Sequence, residues 1–181
     1  MEYEVLDHTA DLLIRGYGKD IAGCYESVAY GMFDQTVDLS GVSPVERRHV
    51  EVQGEDPEDA LYSFLAELLF IENYDNLIMC EFSVSVDGNR ISCDCAGELL
   101  DRDRMHIRGE IKAVTFHMME IDASVPQVTV LFDVRRPQRT LPCRCYPYIG
   151  HTHTPGHAQT RLVLHRKGPR LPQPPEGRHG R

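Results

Sequence analysis

The N-terminal stretch EYEVLDHTADLLIRGYG sets two carboxylates and an imidazole, Asp7, His8 and Asp11, between two β-like runs, Tyr3 to Leu6 and Leu12 to Tyr17. Asp, His and Thr are good turn residues, so the insert reads first as a connection between strands. Its chemical reading is that Asp11, leading into an apolar strand, holds a cation or a proton, because a buried carboxylate without a partner is costly. Asp133 poses the same question near the end of VTVLFDV. There Val128, Val130, Phe132 and Val134 share one strand face, and Thr129, Leu131 and Asp133 share the other. Taken singly, each acid is an ordinary surface residue. On neighbouring strands they would make an oxygen-rich site suited to Ca²⁺, Mg²⁺ or Mn²⁺ rather than zinc.

Lys112 in EIKAVTFH is the third candidate. Its parity opposes that of Ile111 and Ala113, so it is expected to point off the packed face. His117 reads as a structural strand histidine, and Met118 and Met119 as core. Further on, Cys143, Cys145, His151, His153 and His157 supply zinc-type ligands, although C-x-C is not the usual knuckle spacing. There is no Gly-rich phosphate loop, H-E-x-x-H or C-x-x-C motif, which argues against several ordinary enzyme classes.

The elements that must position these residues follow from periodicity. In KDIAGCYESVAYGMFDQ, the residues Ile21, Cys24, Tyr25, Val28, Ala29, Met32 and Phe33 form one helical stripe behind the N-cap candidate Asp20. In EDPEDALYSFLAELLFIENYDN, Asp56 caps, Pro57 opens the helix, and Leu61, Phe64, Leu65, Leu68 and Leu69 form the buried stripe. RRHVEVQ alternates as a strand. An Asp87-Gly88 turn signal joins strands near 80–87 and 90–97. EIKAVTFHMMEI and QVTVLFDV make a further pair around DASVP. The order β-β-α-β-α-β-β-β-β predicts an α+β domain, with a largely antiparallel sheet covered by two amphipathic helices.

Charge is divided unevenly along the chain. Residues 1–134 carry 27 acidic and 9 basic side chains, whereas residues 135–181 carry 1 and 10. The acidic body is a poor clamp for a nucleic-acid backbone. Residues 135–181, rich in Pro, Arg and His, lack the apolar residues for a core and are expected to form an irregular basic tail. The N-terminus has no apolar signal segment, no run is long enough to span a bilayer, and the six cysteines read as reduced thiols of a cytoplasmic protein.

Four ordered segments carry a resemblance. YEVLDHTADLLIRGYGKDIAGCYESVAYGMFD, EDPEDALYSFLAELLFI, EIKAVTFHMMEI and VLFDV resemble, in order and spacing, the archease family over residues 2 to 134. The resemblance implies a small cytosolic protein that assists the RtcB-type tRNA-splicing RNA ligase. Such a protein promotes guanylylation of the ligase's active-site histidine, supports repeated turnover and broadens nucleotide use. It implies a divalent metal, Ca²⁺ or alternatively Mg²⁺ or Mn²⁺, held by Asp11, Asp133 and the main-chain oxygen of Val134. It also implies a functional role for Lys112, with Asp7 and His8 as supporting turn residues. The implied partner is the ligase, with RNA engaged only indirectly, no membrane, and self-association left open. Where the family's chains stop just beyond the final Asp, this one continues into Arg135 and Arg136. Two rival functions stay open at this stage: an autonomous metal-dependent phosphoesterase using His8 or His117, and a chaperone-like binding module in which the acids are incidental.

Overall fold

The computed structural model describes residues 1–135. The expectations for a basic tail after that point, and for a zinc site at Cys143, Cys145, His151, His153 and His157, lie outside the described residues. Within them the chain forms β1 (Glu2–Leu6), β2 (Leu12–Tyr17), α1 (Ile21–Thr36), β3 (Glu46–Gln53), α2 (Pro57–Asp75), β4 (Leu77–Asp87), β5 (Arg90–Leu99), β6 (Glu110–Asp122) and β7 (Gln127–Arg135). This is the α+β order read from periodicity. The strands divide between two antiparallel sheets, one ordered β1-β2-β7-β6 and the other β3-β5-β4.

Local chemistry sets the helix starts. The Asp20 carboxylate accepts from the Gly23 N–H at 2.9 Å, and that of Asp56 from the Asp59 N–H at 2.8 Å. Each satisfies one of the orphan donors of a first turn. Pro57 then occupies the first turn of α2, where its missing N–H costs nothing. Asn76 closes α2 in the left-handed conformation, φ 53. In the β4–β5 hairpin only Gly88, the first of the two loop residues, has a positive φ, at 59. That is the requirement of a type II′ turn.

Each helix packs on a strand from both sheets, α1 on β2 and β4, α2 on β6 and β3. The core lies in that shared space. Val28, Met32 and Phe33 of α1 and Leu61, Phe64, Leu65 and Leu68 of α2 are fully buried against Ile14, Val128, Val130 and Phe132 of one sheet and Ile78, Ile91 and Cys93 of the other. Side chains of this size stabilise by roughly 1.5–3 kcal/mol each on burial, so the helices bind the sheets to one another. Gly16 shows how close the approach is: a Cβ there would lie 2.7 Å from the Cys24 carbonyl oxygen. Cys24, Cys80, Cys93 and Cys95 are free thiols, and no helix of the described residues is long and apolar enough to cross a membrane.

Two local expectations are corrected. Met118, read as core, is 48% exposed, because β6 loses register with β7 between Thr115 and Glu120. His117 lies in the same irregularity and is exposed rather than built into the packing.

Candidate functional site

The strand register brings the chain's first and last acids of interest to one corner. β2 and β7 pair antiparallel from Tyr17↔Gln127 up to Leu12↔Phe132. The next position on each strand is Asp11 on one side and Asp133 on the other. On its far side β7 pairs with β6, Ala113 facing Asp133 and Ile111 facing Val134. Lys112 is the extra residue between those two pairs, a β-bulge of the kind that re-aims a side chain. Its ammonium lies 3.6 Å from Asp133 Oδ1, with the two side chains 41% and 48% exposed. An ion pair that wet contributes at most about 1 kcal/mol, so it adds little to stability and is easily exchanged for another partner.

Asp11 is held by its own turn. Its backbone N–H donates to His8 Nδ1 at 3.2 Å, and its carboxylate lies 3.7 Å from the same nitrogen. In this contact His8 is an acceptor through Nδ1, which leaves the proton of the neutral ring on Nε2. In that tautomer it is poorly set to act as a general base at the corner. Asp7 does not join the corner. It is exposed and lines a groove on the sheet face with Leu6 and Leu13.

A cleft of about 210 Å³ opens beside Asp11, lined also by Gln35, Arg108, Glu110, Val134 and Arg135. Its cations are already engaged. Arg108 bridges Asp34 at 2.9 Å and Asp38 at 3.4 Å. Arg135 lies 3.3 Å from Glu110, its cross-strand partner. The first arginine beyond the body thus has a carboxylate of its own. Glu110 and Arg108 were not singled out in the sequence; the acid heading EIKAV was the available signal. Tyr3 was also missed. Its phenol donates to Asp34 at 2.5 Å and is pushed up to about 12, first by burial and then by that hydrogen bond. This contact pins β1 to the end of α1 and so fixes where the Asp7–Asp11 turn begins.

The donor chemistry fits a hard divalent ion and not zinc. Two carboxylates and a main-chain oxygen suit Ca²⁺ or Mg²⁺ with water completing the shell. Among the described residues no three His, Cys, Asp or Glu side chains gather as a metal-holding group.

The body is a two-helix, two-sheet α+β domain in which the second and last strands are neighbours. The chain belongs to the archease protein family (MTH1598/TM1083), which it matches over residues 3–134. It is 40% identical over 124 residues to the protein archease of Thermococcus gammatolerans, covering 66% of this chain and 87% of that one. It is 34% identical over 142 residues to the archease-like protein of Drosophila melanogaster, covering 74% and 91% respectively. Its fold is similar to the solution structure of Methanobacterium thermoautotrophicum protein 1598, with a TM-score of 0.62 at 34% identity, over 72% of this chain and 97% of that one.

Proposed function

We propose that this protein is the activator of an RtcB-type tRNA-splicing RNA ligase in the cytoplasm, promoting guanylylation of the ligase's histidine and its repeated turnover, and is not itself the enzyme. The observation that carries the reading is family membership over residues 3–134, joined to a register that sets Asp11, Lys112 and Asp133 at one corner. Asp11, Asp133 and the Val134 carbonyl would hold the divalent ion, which when bound supplies charge neutralisation for phosphate oxygens. Lys112 swings between the Asp133 carboxylate and a phosphate of the incoming nucleotide. The Lys112 bulge gives it that reach, and its weak, exposed pairing gives it that freedom. His8 holds the turn so that Asp11 stays at the strand end. The acidic body approaches a basic ligase groove by charge complementarity, which raises the rate of encounter.

The test is a multiple-turnover RNA-joining assay with the cognate ligase, comparing the full chain, a chain ending at Val134, Asp11→Ala and Lys112→Ala. The full chain and the shortened chain should both stimulate joining. The two alanine variants should fold and lose stimulation by on the order of 10²-fold, the scale expected for a group that positions or neutralises phosphate. Equal stimulation by Asp11→Ala would remove the metal from the mechanism and favour a binding module with incidental acids.

A further inference from the structure

The outer face of the β1-β2-β7-β6 sheet carries a feature that the corner does not use. Within the break in β6 register, Met118 adopts φ 57, a left-handed backbone that costs a non-glycine residue roughly 1–2 kcal/mol. Neither Met118 nor Phe116 recovers that cost by burial, being 48% and 54% exposed. Phe116 is stacked on Tyr62 of α2 with ring centroids 4.2 Å apart. The start of the break is thus pinned while Met118 stands outward. Met118 and Met119 line a groove of about 640 Å³ together with Leu6, Leu13, Asp7 and Glu120. Leu13 belongs to the face opposite Ile14, which is buried against α1, because strand residues alternate.

Charge selects the occupant. The groove's cation, Arg15, is neutralised by Glu4 at 3.7 Å and donates to Thr129, while Asp7 and Glu120 make the remainder of the lining acidic. The body behind it carries 27 acidic against 9 basic side chains. That field opposes both a nucleic acid and a second copy of the same body, and attracts a basic surface. The groove and the corner share strands β2, β6 and β7. Asp7 precedes Asp11 by four positions, so their Cα atoms are at most about 15 Å apart, and β6 carries both Lys112 and Met118.

We propose that this groove is a docking surface for the ligase, taking an aliphatic or aromatic side chain that the ligase presents beside lysines or arginines. The inference rests on the ligase reading above and names the surface by which the acidic body is held while the corner works.

The experiment measures affinity of the full chain for the ligase without RNA, together with Tm and joining activity, for the parent, Met118→Gly, Met118→Asn and Met118→Leu. Gly and Asn tolerate the left-handed backbone, so both should raise Tm while weakening ligase affinity roughly tenfold or more through lost apolar burial. Met118→Leu keeps the apolar side chain and should retain affinity. Greater stability with poorer binding is a combination that a purely structural role does not produce. Unchanged affinity of the Gly and Asn variants, with the parent still stimulating joining, would overturn the docking surface alone. Loss of RNA binding or of self-association with ligase affinity intact would assign the groove to nucleic acid or to a second copy, and would also overturn it. A parent chain that neither binds nor stimulates the ligase would remove the functional reading itself.

Discussion

Glu72, on the last turns of α2, is a half-buried acid that the corner chemistry does not need. Its Oε2 is buried without a hydrogen-bond partner. Burial, with a smaller contribution from Glu110, raises its pKa from 4.5 to about 7, against a partial offset from Thr36. The offset from Thr36 is smaller than the effect of burial, so the protonated form is favoured on balance. The native state therefore binds this proton more tightly than the unfolded chain. Between about pH 4.5 and 7 it holds the extra proton, and stability falls as pH rises through that window. The total is on the order of 3 kcal/mol. Denaturant titrations should show Glu72→Gln close to the parent below pH 5 and more stable than it at pH 8. A variant with the parent's pH slope would exclude Glu72 as the source. Asp11 is partly exposed, and its carboxylate lies 3.7 Å from His8 Nδ1 without a close hydrogen bond, so Asp11→Ala should change stability by less than about 1 kcal/mol.

At the scale of elements, what was legible in the sequence is what local chemistry determines. Asp20, Asp56 and Pro57 marked both helix starts because capping and first-turn geometry depend on neighbours a few residues away. The stripes from Ile21 to Phe33 and Leu61 to Leu69 were legible because a helix face repeats. The division of the strands into two sheets was not, since β2 finds β7 more than a hundred residues away. The break in β6 was equally silent. Met118 takes a positive φ with no glycine, asparagine or proline beside it, so nothing local announces it. The corner was half legible: the ordered segments singled out Asp11, Lys112 and Asp133, whereas their meeting depends on a cross-strand register. Glu110, Arg108 and Glu72 were missed because tertiary packing, not sequence spacing, gives them their surroundings. The α1–β2 contact is one of the close approaches that a single methyl would disturb. Gly16→Ala places a methyl 2.7 Å from both the Cys24 carbonyl oxygen and a Val28 methyl. It should destabilise by roughly 2–4 kcal/mol, read as a lower Tm. An unchanged Tm would mean that α1 can withdraw from the strand.

For the whole molecule, the fold is a way of holding two distant stretches of chain at one edge. α1 and α2 each bridge the two sheets, β7 sits between β2 and β6, and the Asp7–Asp11 turn is tied down by Tyr3 at one end and His8 at the other. The result is an acidic body with a carboxylate–lysine corner and, along the same strands, an apolar groove. In the proposed function the groove supplies attachment and the corner supplies the chemistry, so the two should separate in experiment: groove variants lower affinity, and corner variants lower the rate at saturation. The most direct measurement is transfer of labelled GMP from GTP to the ligase, with saturating parent protein or Asp133→Asn and a divalent ion present. The parent should accelerate labelling of the ligase histidine, and Asp133→Asn, which keeps the strand and removes the charge, should bind the ligase but fail to accelerate it. Equal acceleration by the two proteins would contradict a role for this corner.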